Sequence, residues 1–200
     1  MWGARAEQGP MAVPGDYQVR VTALGKTETQ PLKLELDSRS HVTVAQLQEQ
    51  FRFASQVRDQ VSQADEMVIA IRKINKEAKE RAERVKDESV VSAGASLRDK
   101  LSTLEEEIYQ VRNRANEDPL NFPIKLNNQI AALARAIETG DNPPTDQEYE
   151  VFKVLSARLE TIVTRYQQAL KNDLSRFNSL LVSHGSTEVK PSAVMNLQTQ

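Results

Sequence analysis

Thr43-Val44-Ala45-Gln46, with the apolar series that follows to Val85, decides the fold. The Thr43 hydroxyl can accept from the amide three residues on, and Gln46 can reach back to the cap amide. That is a capping box, a helix start. From there Ala54, Val61 and Val68 share one heptad position, continued by Asn75 and Ala82. Val57, Ala64, Ile71, Ala78 and Val85 share the other. Seven-residue spacing held this long predicts a helix that packs as in a coiled coil. Met67 and Ile74 widen the stripe beyond a two-stranded seam, which favours a bundle. At 1.5 Å per residue the helix is roughly 60 Å long. Asn75 falls on the seam. It reads either as a register-setting polar residue or, more plainly, as a partly solvated seam position.

Working downstream, Val90 to Gly94 reads as a short break, with Ser89 and Ser92 as caps. Leu97, Leu101, Leu104, Ile108 and Val111 then step by four and three, giving a second helix antiparallel to the first. Pro119 and Pro123 interrupt the chain, and Pro123 suits the first turn of a third helix. Leu126, Ile130, Leu133 and Ile137 form its stripe, and Gly140 suits its C′ position. Thr145-Asp146-Gln147-Glu148 is a second capping box. Phe152, Leu155, Leu159, Ile162, Tyr166 and Ala169 carry a fourth helix that can run on to Leu180 or Leu181. From His184 the chain is polar and reads as a disordered tail.

Working upstream, Tyr17, Val19 and Val21 alternate with Gln18, Arg20 and Thr22. Leu32, Leu34 and Leu36 alternate with Lys33 and Glu35. Two period-2 runs around Gly25-Lys26 predict a β-hairpin with one apolar face. A lone hairpin is marginal in water and needs something behind that face. The expected fold is therefore mainly α: an antiparallel bundle of about four helices preceded by a β-hairpin. Residues 1–40 form the hairpin region, 41–182 the bundle and 183–200 the tail.

Pro14-Gly15-Asp16-Tyr17-Gln18-Val19-Arg20-Val21 resembles the penultimate strand of an immunoglobulin-like or fibronectin-type sandwich. In such folds a Tyr at the strand's start bonds back to the preceding corner. The order Trp2-Gly3-Ala4-Arg5, Pro14-Gly15-Asp16-Tyr17, Gly25-Lys26-Thr27, Thr29-Gln30-Pro31-Leu32 and Asp37, followed at once by long helices, is similar to the C-terminal end of a bacterial family. These are sortilin-like β-propeller proteins with BNR repeats, often labelled glycosyl-hydrolase-like. The resemblance covers the chain to about residue 170, and rests on order and composition rather than catalytic motifs. It implies that the hairpin is the end of a truncated Ig-like sandwich. It also implies that the parent proteins are often exported, to the periplasm or beyond. The family's propeller has no counterpart here, so none of its activity transfers to any residue of this chain.

Composition narrows the functions further. The 200 residues carry a formal net charge of −2, against a general nucleic-acid or anionic-membrane surface. There is no cysteine, hence no disulfide, thiolate metal site or Cys nucleophile. No signal peptide and no apolar run long enough for membrane insertion is evident. Gly25-Lys26-Thr27 imitates the end of a phosphate-binding loop, but the earlier glycine is replaced by Arg20 and a strand follows. His41 and His184 are too far apart to pair as helical metal ligands. Glu105-Glu106-Glu107 lies on a helix, where successive side chains diverge, and reads as a solvated face. The basic run from Lys73 to Lys86 is interleaved with Glu77, Glu80 and Glu83 and reads as an ion-paired helix surface.

The expected function is a non-catalytic structural or interaction module with no cofactor and no metal. Trp2, Tyr17, Val19, Val21, Leu32 and Leu34 are its candidate interaction residues. Its partner is expected to be the upstream propeller and sandwich domains of a parent protein, or another protein chain. The alternative is a free-standing helical protein that forms a homo-oligomer or adaptor through the long seam. A glycoside hydrolase role ranks last, because no converging acid pair can be read.

Overall fold

A computed structural model describes residues 9–115 and 117–192. The chain is mainly helical, with a two-stranded antiparallel hairpin ahead of the helices. Helix α1 spans Val44–Val85. Its capping box is complete: the Gln46 amide donates to Thr43 Oγ1 at 3.3 Å and the Thr43 amide to Gln46 Oε1 at 2.9 Å. Lys86 ends it in the left-handed conformation (φ 58°), its amide bonding to Ala82 O. The carboxylate of Asp87 then accepts from the amides of Ser89 and Val90 and starts α2, Glu88–Ile108. The break expected over Val90–Gly94 therefore lies at Lys86-Asp87. An Asp positioned to take two orphan amides starts the helix ahead of the serines. Gly94 sits inside α2, buried against Phe177.

After a link containing a short 3₁₀ turn at Asp118–Leu120, helix α3 runs Leu126–Ile137. It begins three residues beyond Pro123, whose carbonyl instead accepts from the buried Gln110 side chain at 2.9 Å. Glu138 holds the C-cap position, and Gly140 follows two residues later with φ 91°. Gln50 of α1 donates to the carbonyls of Ile137 and Gly140 at 2.7 and 2.9 Å, which pins that end.

Helix α4, Asp146–Ala169, starts on the Thr145/Glu148 capping box. It passes through a π turn at Leu170–Leu174 into α5, Ser175–Ser183, with helical backbone angles at both junctions. Its buried residues are Leu155, Leu159, Ile162, Tyr166 and Ala169, then Leu174, Phe177 and Leu181. The steps are four or three except from Ala169 to Leu174, where the step is five. The wider π turn takes up that extra residue and keeps the stripe pointing inward.

Helix α1 packs on α2, α3 and α4, and the second helix also packs on α4 and α5. Val57, Ala64, Met67, Ile71, Ile74 and Ala78 have no exposed surface. Each such aliphatic side chain contributes about 1.5–3 kcal/mol if Val-sized or larger. The seam that could have joined two chains is thus filled by the chain's own helices. Asn75 is half-buried and donates to Ser102 Oγ at 3.3 Å, tying α1 to α2.

The segment after α5 differs from the disordered tail expected from residue 183. Gly185, with φ 71°, closes α5 with two bonds, Gly185 N to Val182 O and Ser186 N to Leu181 O. This is a Schellman cap, and it reverses the chain. The strap that follows is tied down by Arg81, Asn178 and Lys73, the last donating to Ser192 Oγ at 3.2 Å. Arg81 donates to the carbonyls of Thr187 and Glu188 at 2.8 and 3.1 Å. The Asn178 amide group both donates to and accepts from the Val189 backbone, at 3.0 and 2.9 Å. The polar composition concealed this, because a single side chain, Val189, is the anchor and is 1% exposed.

Strands β1 (Gly15–Ala23) and β2 (Lys26–Leu34) pair from Gly15↔Leu34 to Ala23↔Lys26. The turn is Leu24-Gly25, one residue earlier than the Gly25-Lys26 expected, and both residues have positive φ (51° and 75°). That is the two-residue turn whose twist suits a hairpin. Leucine is a poor residue for it, since its Cβ crowds the carbonyl in the left-handed region at about 1 kcal/mol. Leu24→Asn should therefore raise amide protection across both strands about fivefold, read by hydrogen exchange.

Candidate functional site

The hairpin is the part of the molecule with the least covering. Of its residues only Leu34 is even half-buried. Residues opposite one another in an antiparallel pair share a face. The pairs Tyr17↔Leu32, Val19↔Gln30, Val21↔Glu28 and Gly15↔Leu34 therefore place Tyr17, Val19, Val21, Leu32 and Leu34 together. All five candidate residues in the described part are on that one face. Trp2 lies outside the described residues. Val21 is 59% exposed and Val19 45%. Such a surface is unlike the scattered single apolar residues of an ordinary exterior. The Tyr17 hydroxyl donates to Val13 O at 2.6 Å, tying the start of β1 to the preceding corner. Met11 N donates to Glu138 Oε1 at 2.7 Å, linking the chain ahead of the hairpin to the end of α3.

The helical body has no comparable chemistry. Glu105 is buried, contrary to the solvated face expected, and meets Arg72 Nε at 2.6 Å. Arg72 also covers the Tyr109 ring, 4.9 Å from its centroid. Glu107 pairs with Arg165 at 2.8 Å, leaving Glu106 as the exposed member of the three. Spacing alone missed this because the basic partners lie on other helices. Lys100, which borders the hollow beside the π turn with Arg165, is paired with Asp173 at 2.5 Å. Burial raises the Asp65 carboxyl above its usual range, and the Asn127 amide bonded to it partly offsets the rise. That side-chain partner is an amide, not a second acid, so the pair is not the two-carboxylate arrangement of a glycosidase.

One cluster has the residue types of a catalytic triad. His184 Nδ1 is 3.2 Å from Ser183 Oγ, and Nε2 is 3.4 Å from Asp87 Oδ2. The geometry is wrong for nucleophile activation. Ser183 donates to Leu180 O at 2.8 Å, and the same carbonyl lies 2.8 Å from Nδ1. The imidazole therefore faces the serine with a donor, not with the lone pair that a general base needs. Among the described residues no group of three or more His, Cys, Asp and Glu could hold a metal ion, and no helix is long and apolar enough to cross a membrane.

Tyr166 is one of the residues whose buried side-chain polar atom is left unsatisfied. Its hydroxyl has no hydrogen-bond partner, and burial pushes its pKa up to about 12. The neutral phenol is thus favoured by folding, a contribution complete below pH 10 and lost between pH 10 and 12. Tyr166→Phe removes an unsatisfied hydroxyl and should add about 1 kcal/mol at neutral pH by urea titration. It should also flatten the alkaline part of the stability profile.

No protein-family model matches the sequence, and no match was found among curated proteins or solved structures. The hairpin face is therefore the basis for a functional reading.

Proposed function

We propose that this chain is a non-catalytic interaction module in which the helical bundle holds a β-hairpin for docking with a further β layer. The observation that carries this reading is the unpartnered apolar face of Tyr17, Val19, Val21, Leu32 and Leu34 beside a body with a complete core. A two-stranded ribbon with such a face gains its stability from a partner layer. The Tyr17–Val13 bond supports an origin in an Ig-like sandwich, and with it a parent of the sortilin-like propeller kind. The partner surface is then the β domains of such a protein, or a sheet on another chain.

A photo-reactive residue in place of Val19, expressed in source cells, tests the reading. Capture of a β-sheet segment at Val19, and not at the exposed helical position Thr164, is the expected result. Equal labelling at both positions would overturn it.

A further inference from the structure

The two edges of the hairpin are not equivalent. A two-residue turn makes Ala23↔Lys26 a hydrogen-bonded pair, and such pairs alternate along an antiparallel ladder. Val21↔Glu28, Val19↔Gln30 and Tyr17↔Leu32 are therefore bonded pairs, whereas Gln18↔Pro31 is not. In a non-bonded pair the backbone groups point away from the partner strand. Pro31, which has no N–H, thus interrupts the outer edge of β2 and removes its central donor. On β1 the outward groups are those of Asp16, Gln18, Arg20 and Thr22, with every donor present. Strand addition is open on β1 and blocked on β2.

The side chains along that open edge specify what can add. An antiparallel strand centred on Gln18 needs a base opposite Asp16 and an acid opposite Arg20. Read backwards, β1 itself supplies them: Arg20, Gln18, Asp16. Asp16 and Arg20 form no ion pair with each other or with a third group among the described residues, and Lys33, across from Asp16, is held by Glu35 at 2.9 Å.

We propose that the occupant of the β1 edge is a second copy of this chain, joined about a two-fold axis through Gln18. Asp16 of each copy then faces Arg20 of the other, and Tyr17 faces Val19. The product is a four-stranded sheet in the order β2-β1-β1-β2, with one continuous apolar face. Pro31 blocks both outer edges, so the assembly closes as a dimer and does not extend into a fibre. The proposal rests on reading the hairpin as a docking element and adds what pairs at its edge, leaving the widened apolar face for the further β layer.

The absence of cysteine makes the register directly testable. Opposed Cα atoms in a bonded pair are about 5.5 Å apart, within the range a disulfide spans. Q18C should form a disulfide-linked dimer on mild oxidation, whereas T22C, displaced from its own copy by eight residues in this register, should not. In light scattering of the unmodified chain, R20D should weaken the dimer about tenfold by placing like charges opposite at two sites. D16R combined with R20D should restore it. Equal cross-linking at both cysteine positions, or no rescue by the double swap, would overturn the proposed register. A monomer across the micromolar-to-millimolar range would overturn the second copy as occupant. In that case capture of a foreign β sheet at Val19 would leave the docking reading standing, and its absence would remove both.

Discussion

Phe177→Ala should lower the unfolding free energy by about 3–5 kcal/mol, the cost of deleting a buried aromatic ring that its surroundings cannot replace. Phe177 is completely buried where α5 meets α2. It lies over Gly94, at which a Cβ would come 3.0 Å from ring atom Cε2 and 3.6 Å from the Ala82 side chain. Two opposing effects meet at Gly94→Ala. Helix propensity favours alanine by about 1 kcal/mol. Overpacking a filled core costs about 1–3 kcal/mol. The ring has no open side to move into, so the loss should dominate and the variant should be less stable. In a Phe177→Leu background the crowding is gone, and the same Gly94→Ala change should become stabilising. That reversal of sign, measured by urea unfolding of the four proteins, isolates the contact from propensity. If Gly94→Ala stabilises both backgrounds, the proposed packing is wrong.

Val189→Asp should release the strap and leave the bundle folded. The substitution loses the burial of a valine, about 1.5–3 kcal/mol, and places a carboxylate among apolar core residues. The chain can relieve that charge by detaching, because the strap is held by Arg81, Asn178, Lys73 and Val189 rather than by a helix of its own. Hydrogen exchange should show lost protection at Val189 with α1 and α2 unchanged. The melting temperature should fall by about 4–10 °C, given 2–4 °C per kcal/mol for a chain of this size. Asn178→Ala should give a smaller loss confined to the same segment, since it removes two backbone bonds and no apolar contact. Global unfolding in Val189→Asp would show that the strap is part of the central core and not an attachment to it.

These two sites also show what pattern could and could not reveal. The positions of α1, α3 and α4 follow from the spacing of Ala, Val, Leu and Ile and from the two Thr capping boxes, all local signals. The hairpin was legible for the same reason, since alternation needs only neighbouring residues. The α1–α2 turn was misplaced because Gly94 resembles a helix end. Its role, admitting the ring of Phe177, depends on a residue 83 positions away. The strap was hidden because one anchored valine in a polar segment has no period. The buried Glu105 was hidden because its partner Arg72 lies on another helix. At the candidate site, the apolar face was visible in the sequence. The asymmetry of its edges was not, because Pro31 acquires that meaning only once the register is fixed by the Leu24-Gly25 turn.

The π turn between α4 and α5 is a record of one residue too many. The inward-facing series keeps its rhythm up to Ala169 and resumes it from Leu174, so the two halves are out of phase by a single position. Removing the exposed Asn172 should let the backbone close into an ordinary helix with Phe177 and Leu181 still facing the core. Removing one residue in the middle of α4 would instead rotate everything beyond it by about 100° and turn Phe177 towards water. The π turn is thus the point at which the chain's length should be able to change by one without loss of fold.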